Sequence, residues 1–454
     1  MKKADKTEGD INLSEYRMKW IQENIDEKTE KILEQDSKYF LHQSLSTPCM
    51  NVLSHCEENY IYDNQGKAYL DFHGNNVHQV GFSNPEVIKA ITAQLETLSF
   101  SPRRFTNEPA IKLAKKLVEL SNGNLNKVLF APGGTSVIGM ALKLARRITG
   151  KFKTISWWDS FHGASLDAVS IGGEPLFRSH IGPLLPGAIH IPPPTNYNSQ
   201  LGNGKRAFVE SLEYLEYVFE REGDIAAFIA EPIRYTTVTI PDKNYWKKVR
   251  ELCDKYETIL IFDEIPTAFG RSGKMFVYQN YDIIPDILCV GKGLGGGIFP
   301  MAALLTKDEY DINGDIAIGH YTHEKSPVGS AAALAMIDYI EKNNLLKSSQ
   351  ALGTYYRRRL NELKRKYAII GDVRNIGLMF AIELVKDRRS KIPAIEEAEY
   401  IMYKALSNGL SFKVSSGNII TLMPPLTITK KELDSTISIL EDSFKEAKRE
   451  FSKV

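Results

Sequence analysis

Short, uninterrupted apolar runs alternate along this chain with longer segments whose apolar residues recur every three or four positions. Runs of the first kind, at 225–230, 258–262 and 287–290, read as strands buried on both faces of a sheet, and 127–130 and 154–156 read as further strands. Segments of the second kind, at 86–98, from just past Asp242 to Tyr256, and at 331–366, read as helices. Strand, helix and strand in that order predict an α/β fold with a right-handed, mostly parallel sheet between helices. Residues 60–72 differ, because alternating apolar positions flank the turn Asp63, Asn64, Gln65, Gly66 and so predict a hairpin. The charged segment 14–40 predicts one or two surface helices, and the Pro- and Gly-rich stretch 176–203, which has no period, predicts a long loop.

Composition adds limits to this picture. A chain of 454 residues with 43% hydrophobic content exceeds the size at which a single core usually splits, so two domains are expected. Its 57 basic and 56 acidic side chains leave a net charge of +1, which argues against nucleic acid or an anionic membrane as partner. Any recognition of an anion must be local. Cys49, Cys56, Cys253 and Cys289 have no C-x-x-C spacing and read as reduced, buried thiols of an intracellular protein. Charged residues rather than an apolar segment follow Met1, and no stretch is long enough to span a bilayer, so the expectation is a soluble, cytoplasmic protein.

The run 258–262 ends in Asp263 and Glu264, and the run 287–290 leads into Gly291, Lys292 and Gly293. Ligands of open α/β sheets collect beyond the carboxyl ends of the strands, so Asp263 and Lys292 are candidates for one site. Pyridoxal 5'-phosphate (PLP) is the cofactor that needs this pair. A lysine amine forms a Schiff base with its aldehyde, and a carboxylate pairs with its ring nitrogen so that the ring can draw electrons. The plainer alternative makes Asp263 a turn cap and Lys292 a solvated loop lysine. Gly133, Gly134, Thr135 and Ser136, between a strand and a helix, offer free backbone N–H groups and two hydroxyls, which together suit a phosphate.

The stretch 261–273, with Asp263, Glu264, Gly270, Arg271 and Gly273, followed by Pro285, Asp286 and the lysine-bearing glycine run 291–297, resembles the motif of class III PLP-dependent aminotransferases. Further matches extend the resemblance from about Tyr62 to Leu426. It implies fold type I of the PLP enzymes: an amino-terminal segment at 1–75, a large PLP-binding domain at 76–330 and a smaller α+β domain at 331–454. It also implies roles. Lys292 carries the cofactor, Asp263 pairs with the ring nitrogen, Phe161 stacks on the ring beside His162, Ile265 covers the other ring face, and Gly133, Gly134, Thr135 and Ser136 hold the phosphate. On the substrate side stand Asn76, with Asn75 and His78, and Arg374, which would bind an α-carboxylate. Glu231 would pair with Arg374 when no carboxylate is present. Thr322 would reach the phosphate of a neighbouring subunit, which makes the protein a homodimer with shared active sites. Arg103 and Arg104, adjacent in a non-helical break, either fork onto a carboxylate, phosphate or phosphonate or serve as surface ion-pair residues. His73 and His78 have no carboxylate or cysteine at a zinc-like spacing, so no metal is expected.

The activity this implies is transamination, from an amino acid or ω-amine donor to an oxo acid, with Lys292 carrying the proton between carbons. Departures from the family pattern point to a second activity. The phosphate turn is altered, Pro266 stands where a glutamine is common, and Thr421 stands where many relatives place an arginine before Pro424 and Pro425. With Arg103 and Arg104 these give the alternative to transamination, an ammonia-lyase or phospho-lyase for a small amino alcohol phosphate or phosphonate, one candidate being a hydroxylated aminoethylphosphonate. A non-catalytic binding protein of this fold would require Lys292 or Asp263 to be missing, and both are present.

Overall fold

The apolar runs pair into a seven-stranded sheet in the order Lys127–Ala131, Ala302–Thr306, Ile287–Val290, Ile259–Asp263, Ile225–Ala230, Lys153–Trp157, Ala188–Ile191. The computed structural model describes residues 12–195, 197–198, 201 and 204–452, so the expectation for Met1 and the residues after it lies outside the described part. The strands Ile225–Ala230, Ile259–Asp263 and Ile287–Val290 are buried along their whole length, as helix-covered strands must be. Five strands run parallel by direct pairing. Ala302–Thr306 is antiparallel to both of its neighbours, so the sheet is mixed. That double reversal leaves Lys127–Ala131 pointing the same way as the other five, and six carboxyl ends share one edge.

Two elements differ from the sequence reading. Ala302–Thr306 went unassigned, and the stretch 176–203 is not loop throughout. It contains the edge strand Ala188–Ile191, parallel to Lys153–Trp157, and begins inside the short helix Pro175–Arg178. The four residues of that strand are interrupted by His190 and followed by Pro192, Pro193 and Pro194, so no continuous apolar run marks it. Positions 196, 199–200 and 202–203 of that stretch lie outside the described residues. The expected helices are present with local stop and start signals: Pro85–Thr97 begins with Asn84 accepting from the backbone of Glu86 and Val87, and Lys243–Lys255 begins with Asp242 accepting from Tyr245.

The hairpin Tyr60–Asp63 and Ala68–Asp71 forms a four-stranded sheet with Leu53–Glu57 and the distant Leu410–Ser411. A second four-stranded sheet is antiparallel and contains Ile370–Ile376, Met379–Leu384, Ile419–Leu422 and Lys413–Ser415. Arg271, fully buried, ties the carboxy-terminal part to the central sheet. Its guanidinium donates to the carbonyls of Met423, at 3.2 Å, and Pro424, and to His78 Nδ1 at 3.3 Å. Because a guanidinium only donates, His78 Nδ1 accepts, and its Nε2–H donates to the Asp71 carbonyl at 3.2 Å. Burial keeps this imidazole well below its usual value and lowers Arg271 to about 10.

Behind Arg271, three backbones meet without room for a methyl group. Gly377 has φ +52°, and a Cβ there would lie 2.4 Å from the Arg271 carbonyl oxygen. A Cβ on Gly353, in the helix Leu345–Lys366, would lie 2.2 Å from the Gly377 carbonyl oxygen. Gly353→Ala is therefore expected to destabilise the fold by about 1–3 kcal/mol, as overpacked sites do. Thermal denaturation followed by circular dichroism checks this, and an unchanged midpoint would mean that the helix moves aside freely.

Candidate active site

Successive strand residues face opposite sides, and the end of Ile259–Asp263 uses this to separate two acids. Asp263 faces a cavity: its Oδ2 accepts from His162 Nδ1 at 2.8 Å and its Oδ1 from the Ile265 backbone at 3.0 Å. A carboxylate only accepts, which places the proton on Nδ1 of His162. Nε2 of His162 is buried with no hydrogen-bond partner among the described residues. Glu264 faces away and accepts from the backbone N–H groups of Val277, at 2.6 Å, and Tyr278, at 2.7 Å. Burial still pushes its carboxyl up to about 8.

Lys292 follows the strand Ile287–Val290 directly and opens the tight turn Lys292–Gly295 with φ +46°. A non-glycine residue in that region carries about 1–3 kcal/mol of strain, which surrounding contacts must hold. The glycine after it is required by space, since a Cβ on Gly293 would lie 2.0 Å from Gln79 Oε1. Burial lowers the Lys292 ammonium from its ordinary value, while the carboxylates of Asp263 and Glu231 oppose that shift. Its Nζ lies 5.8 Å from the centroid of the Tyr235 ring. Glu231, just past the strand Ile225–Ala230, accepts from the Tyr235 backbone at 2.9 Å, and burial together with Asp263 pushes its carboxyl up to about 7.

Gly133 caps the helix Gly134–Thr149, and a Cβ on it would meet nothing within 4 Å. Gly134 has no such freedom, since its Cβ would lie 2.9 Å from Ile265 Cδ1. Thr135 Oγ1 bonds Ser165 Oγ at 2.6 Å and accepts from the Ser165 backbone at 3.1 Å, while the Ser165 hydroxyl donates to Asp167. Ser136 follows in the same turn, half-buried.

A cavity of about 830 Å³ opens between these strand ends, lined by Gly133, Gly134, Thr135, Phe161, His162, Glu231, Asp263, Ile265 and Lys292. Phe161 rests against Phe177 with ring centroids 4.3 Å apart, and Ile265 stands 9% exposed. The donor set fits PLP: a buried amine for its aldehyde, a carboxylate fixed by His162 for its ring nitrogen, and open backbone N–H groups at a helix start for its phosphate.

The model of the class III aminotransferase family matches residues 42–444. The chain belongs to that family. It is 50% identical, over 98% of its own length and 96% of the relative's, to the (R)-1-hydroxy-2-aminoethylphosphonate ammonia-lyase of Vibrio splendidus. Identity to the leucine/methionine racemase of Thermococcus litoralis is 34%, over 91% of this chain and 95% of that one. Among solved structures, an amine transaminase from an uncultivated Pseudomonas species in its PLP-bound form superposes with a TM-score of 0.85 at 31% identity, covering 90% of this chain and 99% of its own. This class III protein is thus an enzyme of fold type I, and its cofactor is PLP. No helix among the described residues is long and apolar enough to cross a membrane.

The remaining sequence candidates fall in different places. Asn76 is fully buried, with neither amide atom hydrogen-bonded among the described residues, while its neighbour Asn75 lines the cavity. Arg103, Arg104 and Thr322 are exposed and do not line the cavity. Arg374 also lies outside the cavity lining. Its guanidinium bridges Asp372, at 3.0 Å, and Glu383, at 2.8 Å, and donates through Nε and Nη2 to the Thr237 carbonyl at 2.9 and 2.6 Å. The Glu231–Arg374 pair implied by the resemblance is therefore not formed in this state. Tyr235 and Lys413, both lining the cavity, were not singled out from the sequence, where nothing local marks them.

For this class III enzyme, borohydride reduction followed by peptide mass spectrometry is expected to find PLP fixed on the Lys292 peptide. Lys292→Ala is expected to carry none and to lose all detectable turnover while keeping the far-ultraviolet circular dichroism spectrum of the wild type. Cofactor fixed on another lysine would remove Lys292 from its role.

Proposed function

We propose that the protein is an ammonia-lyase acting on a small amino alcohol phosphonate of the 1-hydroxy-2-aminoethylphosphonate kind. The carrying observation is the 50% identity over 98% of the chain to a relative of that name, against 31% to the amine transaminase. The engagement of Arg374 by Asp372, Glu383 and Thr237 supports the same reading, since the fork expected to hold an α-carboxylate is already occupied. PLP supplies electron withdrawal at the amine-bearing carbon. Lys292, its ammonium lowered by burial, takes the proton from that carbon as general base. That proton leaves with the hydroxyl of the neighbouring carbon as water, a proton passes from the nitrogen to that carbon, and water then displaces ammonia from the amine-bearing carbon to give an aldehyde. One water is released and one consumed, so the net change is loss of ammonia. Asp263, steadied by His162, would hold the ring nitrogen's proton, and the turn at Gly133, Gly134 and Thr135 would hold the phosphate.

Transamination remains the second reading, supported by the family's aminotransferases and by the fact that Lys292 would carry the same proton. The two differ in what becomes of the nitrogen. With 1-hydroxy-2-aminoethylphosphonate and no oxo acid, continuous ammonia release with the pyridoxal spectrum retained is expected. Stoichiometric conversion to the pyridoxamine spectrum without ammonia would make the protein a transaminase.

We also propose a cytoplasmic homodimer. Thr322, Arg103 and Arg104 lie outside the cavity of their own chain, and Phe105, 67% exposed, offers an apolar surface beside the two arginines for a second copy to cover. Light scattering coupled to gel filtration is expected to give twice the chain mass of 51.1 kDa, and a monomer retaining activity would refute shared sites.

A further inference from the structure

The cavity holds a second amine that the mechanism does not use. Lys413 begins the strand Lys413–Ser415, lines the cavity, and places its Nζ 5.8 Å from the centroid of the Tyr235 ring. Lys292 Nζ stands at the same 5.8 Å from the same ring. The two nitrogens are therefore separated by no more than twice that distance, and an aromatic face attracts both as cations.

Both the strand and the ring are fixed. Lys413 pairs with Thr421 across the sheet, and the Thr421 hydroxyl donates to the Thr236 carbonyl at 3.1 Å, next to Tyr235. Glu231 holds the Tyr235 backbone, and the Tyr235 hydroxyl lies 3.4 Å from His73 Nδ1. Arg17 also lines the cavity and donates through Nη2 to the Pro48 carbonyl at 2.8 Å, and what sets Lys413 apart is its place at the same aromatic ring as Lys292. Lys413 is the cation that shares the Tyr235 ring with the reactive lysine.

Burial lowers the Lys413 ammonium to about 7, a cost that an arriving dianion would offset. A substrate whose amine meets Lys292 and whose phosphonate lies one carbon further on spans a few ångströms, within the bound set by Tyr235. We infer that Lys413 is the specificity-determining residue that binds the substrate's phosphonate and selects that dianion over a carboxylate. This rests on the phosphonate-lyase reading of the site.

The test uses the holoenzyme and 1-hydroxyethylphosphonate, which keeps the hydroxyl and phosphonate but has no amine to react, with lactate as its carboxylate counterpart. Calorimetry is expected to show a preference for the phosphonate in the wild type. Lys413→Met is expected to bind it about 10- to 100-fold more weakly, the loss of a charge-assisted hydrogen bond, while Lys413→Arg stays within about 10-fold of wild type. Equal affinity in Lys413→Met, or no phosphonate binding by the wild type, overturns the inference.

A second measurement needs no variant. 1-Hydroxyethylphosphonate, but not lactate, is expected to protect the Lys413 peptide from amine acylation in the wild type, and absence of protection overturns the inference. The two claims separate cleanly. Protection without ammonia release would refute the lyase and leave the anion site, whereas ammonia release without protection would refute Lys413 alone.

Discussion

The site depends on one constraint: an amine must be buried and yet stay within reach of carboxylates that favour its charge. Desolvation disfavours the ammonium of Lys292, and Asp263 and Glu231 pull the other way. The balance is set by where strands end. Asp263, Glu231 and Lys292 stand at or just past three adjacent strands whose carboxyl ends lie side by side. Glu231, pushed up to about 7, contributes less negative charge below that pH than a solvated glutamate would. Asp263, with two donors on its oxygens, keeps a fixed direction while its neighbour's charge varies.

The segment carrying Tyr235 connects this chemistry to the carboxy-terminal sheet. Glu231 holds the backbone of Tyr235, Thr421 holds the carbonyl of Thr236, and Arg374 holds the carbonyl of Thr237 with two donors. Three consecutive residues are thus fixed from two sides. Arg374 can serve this way because Asp372 and Glu383 already balance its charge, so donation to a neutral carbonyl leaves no unpaired buried ion. Movement of the carboxy-terminal sheet would be felt first at the Tyr235 ring, against which both lysines lie.

Much of this was legible in the sequence because the signals were local. A continuous apolar run ending in an acid or a glycine-rich turn identifies a strand of the sheet and what it presents, and Asp263, Lys292 and the Gly133–Gly134 turn each had both marks. Ala188–Ile191 had neither, since His190 breaks its short run and prolines follow it. The partners of Arg374 were partly visible: Asp372 stands two positions away on the same strand, and residues so spaced share a face. Lys413 and Tyr235 had no local mark, since desolvation depends on what the fold brings around a residue.

The cations also differ in kind. A guanidinium presents a planar fork that matches a carboxylate, whereas an ammonium is a point charge indifferent to the tetrahedral geometry of a phosphonate. Here the fork of Arg374 is committed to Asp372, Glu383 and Thr237, and the ammonium of Lys413 is carried to the cavity wall. On the phosphonate-lyase reading proposed above, a cavity so equipped suits a phosphonate better than an α-carboxylate. The same buried lysine can then serve a different substrate without any change in the strand ends that tune it.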